Sequence, residues 1–199
     1  MRNLGLLGCV GALIVAVLIG GMYFVGVRNN LVGLEETVDR AWSDVETQYQ
    51  RRADLVPQLV ATVKGAAQFE RETFQAITEA RARVGQVQTG GQAPTSDAQL
   101  QQFEQAQAQL GGALSRLLVV MENYPQLKAT DAFRDLQAQL EGTENRINVA
   151  RGRYNENATT YNTAIRRFPA SVIAGMSGFE RKPYFKAATG SEKAPTVQF

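Results

Sequence analysis

The densest polar chemistry of this 199-residue sequence lies in its last third, where Arg146, Arg151, Asn155 and Asn162 are followed by Arg166, Arg167, Arg181 and Lys182. Guanidinium and amide groups beside a helical seam can form a polar network or a partner-binding face. Basic side chains close to a bilayer can instead lie on anionic headgroups, each gaining about 1 kcal/mol. The same groups can also set the register of a helix pair and neutralise acids on its neighbour. For that last role the sequence holds a counterpart. Residues 28–56 carry six acids and four bases, whereas residues 145–186 carry eight bases and two acids. These opposed balances suggest that the two stretches face each other.

Other kinds of chemistry are excluded by what is missing. There is no histidine, and Cys9 is the single cysteine. Without histidine no Ser-His-Asp or Cys-His nucleophile system can be assembled. Zinc sites of the Cys/His kind are excluded for the same reason. Di-iron bundles use Glu-x-x-His motifs, which also need histidine. Carboxylate pairs could still act as acid and base, but no phosphate loop, nucleophile motif or dinucleotide fingerprint accompanies them. The expectation is therefore no enzyme, no metal and no cofactor. A net charge of only +2 lacks the basic excess of a nucleic-acid binder.

The polar residues need elements to position them, and the first element is apolar. From Leu4 to Val27 no side chain is charged, and Arg2 and Arg28 bracket the run. About 20 apolar residues suffice for a helix to cross the hydrocarbon of a bilayer. A cleaved signal peptide would have a shorter apolar region ending in a small-x-small site, and Tyr23, Val25 and Val27 fit such a site poorly. Leu6-Leu7-Gly8-Cys9 resembles a lipobox but comes too early in the run. The run reads as an uncleaved anchor over residues 1–28, which makes this a single-pass membrane protein. Gly8, Ala12, Ala16 and Gly20 form a small-residue stripe that can let two such helices approach closely. Basic residues are nearly balanced across the span; the acids Glu35, Glu36, Asp39, Asp44 and Glu46 lean towards a soluble part outside the cytoplasm.

Beyond Arg28 the pattern is helical throughout. Leu31, Leu34, Val38, Trp42, Val45, Tyr49, Val56, Val60, Val63, Phe74 and Ile77 recur in steps of three and four or their sums. Pro57 interrupts this stripe and would clash with the carbonyl of Ala53. It could end one helix, with Asp54 capping the next. Because the stripe keeps its phase across Pro57, one long helix kinked at Pro57 and running to about Val87 is predicted. Thr89 to Asp97 reads as a loop, with Ser96 or Asp97 as the following cap. The next helix should stop before Pro125. Thr130 or Asp131 opens the last one, which Pro169 closes. Its seam is the most regular pattern in the chain, with Phe133, Leu140, Ile147, Tyr154, Tyr161 and Phe168 each seven apart. The fold class is all-α, an N-terminal transmembrane helix followed by an antiparallel bundle of long helices. Residues 29–170 form the bundle and 171–199 a C-terminal tail.

Three stretches carry a resemblance: RRADLVPQLVATVKG from Arg51, ENYPQLKA from Glu122, and LEGTENRINVARGRYNENATTYNTAIRRFPA from Leu140. Together with Asn29-Asn30-Leu31 and the GFERKPYF segment, they make the chain similar to the LemA family of bacterial membrane proteins from the anchor to Phe185. Ala66 and Phe69 stand where members often have Tyr and His, so any role of that His is absent here. The resemblance implies a single-pass protein of the bacterial inner membrane with a helical-bundle domain and no established enzymatic activity. It also implies a link to membrane shaping, since a magnetosome-formation protein belongs to the family. Two functions follow as expectations: a membrane scaffold that self-associates, in contact with lipids, or a tethered binding or sensor module for a soluble protein partner.

Overall fold

The computed structural model describes the backbone of residues 2–64 and 71–186. Helix α1 runs from Arg2 to Lys64 without interruption. At 1.5 Å per residue it is about 95 Å long. From residue 11 to Gly26 nearly every position of α1 faces outwards, including Leu13, Ile14, Val17, Leu18, Ile19 and Met22. From Leu31 onwards one of its faces is buried, through Val38, Trp42, Val45, Tyr49, Val56, Leu59 and Val63. A single rod is thus apolar all round in one half and amphipathic in the other, the two sequence patterns expected of lipid-facing and bundle-facing helix.

Helix α2 (Arg71–Gln86) runs back along α1, as Arg81 meets Ala53 and Gln88 meets Gln50. The predicted single helix to Val87 is corrected here. The helix is continuous through Pro57, as expected, but chain direction reverses between Lys64 and Arg71. Periodicity did not reveal the reversal because Phe74 and Ile77 return to the same core from the opposite direction, and Ile77 joins Val56, Leu59 and Val63 in one cluster.

A loop follows, held by α1. The Glu46 carboxylate accepts from the backbone N–H groups of Thr89 and Gly91, both at 2.6 Å, and Asp39 accepts from that of Ala93 at 2.9 Å. Gly91 has φ +88, and a Cβ there would stand 2.8 Å from Ser43 Oγ, so both conformation and space demand glycine. Ser96 then caps α3 (Asp97–Val120), accepting from the N–H of Gln99 at 3.2 Å. A short 3-10 turn at Met121–Asn123 and the single turn α4 (Pro125–Lys128) reach the cap Thr130, and α5 (Asp131–Arg166) returns towards the start of the bundle. Helix α6 (Ala170–Ser177) ends at Gly178, whose φ of +75 suits a glycine cap. No strand forms among the described residues.

The result is an antiparallel bundle in which α1 lies along α5 and α2 along α3. Its core divides in two. The distal cluster joins α1 after Ala53 to α2, the second half of α3 and the start of α5. The proximal cluster, near the apolar half of α1, has no α2 beside it. There the loop residue Ala93, Leu100 and Phe103 of α3, Ala174 of α6 and Phe185 complete the cluster that contains Trp42. Of the segment 171–199, residues 171–186 are described, and they pack against the bundle.

Candidate functional site

The seam residues of α5 lie where the seven-residue pattern puts them, with one exception. Phe133, Leu140, Ile147, Tyr154 and Tyr161 are buried. Phe168 is 84% exposed and is corrected. A residue before proline avoids the helical region, and α5 has already stopped: Arg167 is extended at φ -77, ψ 133. Without the helix, position seven after Tyr161 no longer faces the partner.

The polar residues beside the seam grip the chain's own C-terminal segment. Asn162 donates to the carbonyl of Lys182 at 2.8 Å and accepts from its N–H at 3.0 Å. Seven residues earlier, Asn155 repeats the arrangement with Phe185, both bonds at 2.9 Å. The Tyr154 hydroxyl donates to the carbonyl of Pro183 at 3.0 Å. An extended strap over 179–186 is therefore pinned to one face of α5 by side chains that serve it as a strand partner would. The pinning delivers Phe185 to a stack on Trp42, with ring centroids 5.8 Å apart, and edge-on to Tyr154 at 5.5 Å. Such aromatic pairs add about 0.5–1.5 kcal/mol beyond area burial.

Charge follows the same plan. Lys182, almost wholly buried, pairs with Glu35 of α1 at 2.8 Å and stands over the ring of Tyr161. Arg151 pairs with Glu104 of α3 at 3.1 Å and lies over the ring of Phe185. Burial holds the Glu104 carboxyl above its ordinary range although Arg151, then Lys186, pull it down. Burial likewise raises the phenols of Tyr154, Tyr161 and Tyr49 above their ordinary value.

The expectation that residues 28–56 and 145–186 neutralise each other is met by one pair, Lys182–Glu35, and otherwise corrected. Asp39 and Glu46 hold loop N–H groups instead, and Arg151 turns to α3. Across the α1–α5 interface a further pair runs in the opposite sense. Arg52 of α1 donates to Glu144 at 3.1 Å and to the side chain and carbonyl of Gln107 at 2.8 and 2.9 Å. Arg52 was not singled out in the sequence, yet it is the buried arginine that joins α1, α3 and α5. Arg146, Arg166, Arg167 and Arg181 are exposed.

Pro57 is served from outside its helix. Lacking an N–H, it leaves the Ala53 carbonyl without its helical donor, and Arg81 Nε of α2 donates to that oxygen at 3.1 Å. In the apolar half of α1, Ala12, Ala16 and Gly20 are exposed and lie on one side of the helix with Gly8. A Cβ added at Gly20 would meet nothing within 4 Å. Among the described residues no group of three or more Cys, Asp or Glu side chains gathers as a metal site.

The chain is similar to three magnetosome proteins. MamQ 2 and MamQ 1 of Paramagnetospirillum magneticum are each 29% identical to it over 176 residues, and MamQ of Magnetospirillum gryphiswaldense is 29% identical over 175. Each match covers 79% of this chain and 64% of the relative, so the chain spans less than two thirds of the length of those proteins. Protein LemA of Metamycoplasma hominis is 24% identical over 172 residues, covering 85% of this chain and 74% of that one. The sequence pattern of the LemA family matches residues 41–199, a range that takes in the Pro57 helix, the α5 seam and the strap, and the chain belongs to the LemA family.

Proposed function

We propose that this protein is a non-enzymatic scaffold, anchored in the inner membrane by α1, whose bundles self-associate side by side and organise the bilayer around them. One observation carries the reading: α1 passes from an apolar half, exposed on all sides from residue 11 to Gly26 apart from a partly covered Phe24, into the core of the bundle as one helix. An 18-residue window in it has a mean hydropathy of 1.9, and exposure of such a surface to water is strongly unfavourable. A helix without a break makes the bundle a rigid extension of the anchor, so anchors that associate bring bundles together. The stripe of Gly8, Ala12, Ala16 and Gly20 supports close approach of anchors. The likeness to magnetosome proteins points towards a membrane role, and the acids after the span support placing the bundle outside the cytoplasm.

The test is electron microscopy and sizing of the full chain extracted with its lipids. A large, defined oligomer is expected. A monomer or dimer would overturn the scaffold and favour a tether for a soluble protein partner.

A further inference from the structure

Phe168, Val172 and Met176 stand four apart at the corner between α5 and α6, and they are 84%, 55% and 75% exposed. The opposite face of α6, through Ile173 and Ala174, is buried against the bundle. The corner has a defined height along the molecule. Ala164, Arg167 and Ala170 line one cleft together with Tyr23 and Val27 of α1. Tyr23 and Val27 are the end of the uncharged run, so the corner lies where the span meets the bundle. Arg166 and Arg167 are exposed at the same corner. A last-turn arginine complements its own helix dipole, but Arg167 already lies beyond the helix.

We propose that this corner is a second membrane contact. Phe168, Val172 and Met176 enter the headgroup layer of the bilayer that α1 crosses, and Arg166 and Arg167 bind the phosphates of anionic lipids. Apolar side chains beside cations are the pattern of segments that lie in the interface plane. The partner is identified by continuity with the apolar surface of α1 and by the charge of the two arginines. Its consequence is a fixed attitude: a bundle held at the span and at the corner cannot swivel about α1. The inference rests on the reading of α1 as the anchor.

The experiment places nitroxide labels one at a time in the full chain, on a Cys9→Ser background, reconstituted into vesicles of phosphatidylcholine with or without phosphatidylglycerol. Labelled sites are F168C and V172C at the corner, L18C within the span, and A138C on exposed distal α5. Power saturation with oxygen and with a water-soluble nickel chelate reports depth. The oxygen-to-nickel ratio is expected to be severalfold higher at 168 and 172 than at 138. Arg166→Gln with Arg167→Gln should lower it in phosphatidylglycerol vesicles and leave it unchanged in phosphatidylcholine alone. If Leu18 reads as lipid while 168 and 172 read like 138, this inference is overturned and the anchor stands. If Leu18 itself reads as water, the anchor reading fails. Line broadening at 168 that vanishes on dilution with unlabelled protein would mean a second copy covers the corner, which also overturns it. An unchanged depth in the double arginine variant with anionic lipid would overturn the headgroup contact.

Discussion

At the scale of single residues, two tyrosines on the same seam make opposite cases. Tyr154 is buried and its hydroxyl donates to Pro183, whereas the buried hydroxyl of Tyr161 has no hydrogen-bond partner among the described residues. A lost bond that orphans a buried carbonyl costs about 1–3 kcal/mol, while removing an unpartnered hydroxyl costs little. Tyr154→Phe should therefore destabilise the bundle by about that amount, and Tyr161→Phe should be neutral or stabilising, as read by chemical denaturation. Both phenols, with that of Tyr49, are raised by burial. Their contribution to stability is complete below the unfolded value near 10 and is lost as pH rises towards the folded values. Each should cost about 1.4 kcal/mol per pH unit above about pH 10. Ionisation of these three phenols should then accompany unfolding, and their reversible titration in the folded state would contradict the burial. The seven-residue spacing was enough to place Tyr154 and Tyr161 in the core. The spacing alone did not show which one finds a partner, because the partner is a backbone carbonyl 29 residues downstream.

At the scale of elements, the helix that runs through Pro57 and the C-terminal strap were legible to different degrees. Phase kept across Pro57 indicated continuity correctly, since a helix stripe is a local property. The reversal before α2 and the donor Arg81 were not legible, as both depend on which element folds back. Arg81→Met should destabilise by about 1 kcal/mol by stranding the Ala53 carbonyl. In a Pro57→Ala background, the restored helical N–H should supply that donor and abolish most of the effect. A double-mutant cycle with no coupling would show that Arg81 acts elsewhere. The strap carries no periodic pattern, so sequence reading set it apart as a tail. Its signal was the repeat of Asn155 and Asn162, whose amides match one backbone pair each. Asn162→Ala leaves both the N–H and the carbonyl of Lys182 without partners. Hydrogen exchange over 179–186 should accelerate strongly in this variant, with α2 and the distal half of α3 unaffected. Uniform acceleration across the bundle would mean that the strap is not a separate unit.

At the scale of the whole molecule, the proximal half is the part assembled from distant pieces: α1, the loop after α2, the start of α3, the second half of α5, α6 and the strap. Composition and periodicity predicted an all-α bundle on an apolar helix because both are properties of single segments. They did not reveal that the apolar segment and the first bundle helix are one unbroken rod, which depends on residues 27–31 staying helical between two patterns. In the proposed scaffold, that rod turns contacts between anchors into contacts between bundles. The most direct measurement is crosslinking of the full chain in native membranes at native expression, comparing wild type with the Ala12→Leu/Ala16→Leu variant. Leucines on the small-residue stripe should hold the anchors apart. Wild type is expected to give a ladder of crosslinked species that shrinks in the variant while the bundle stays folded. Monomers alone in both would contradict the scaffold.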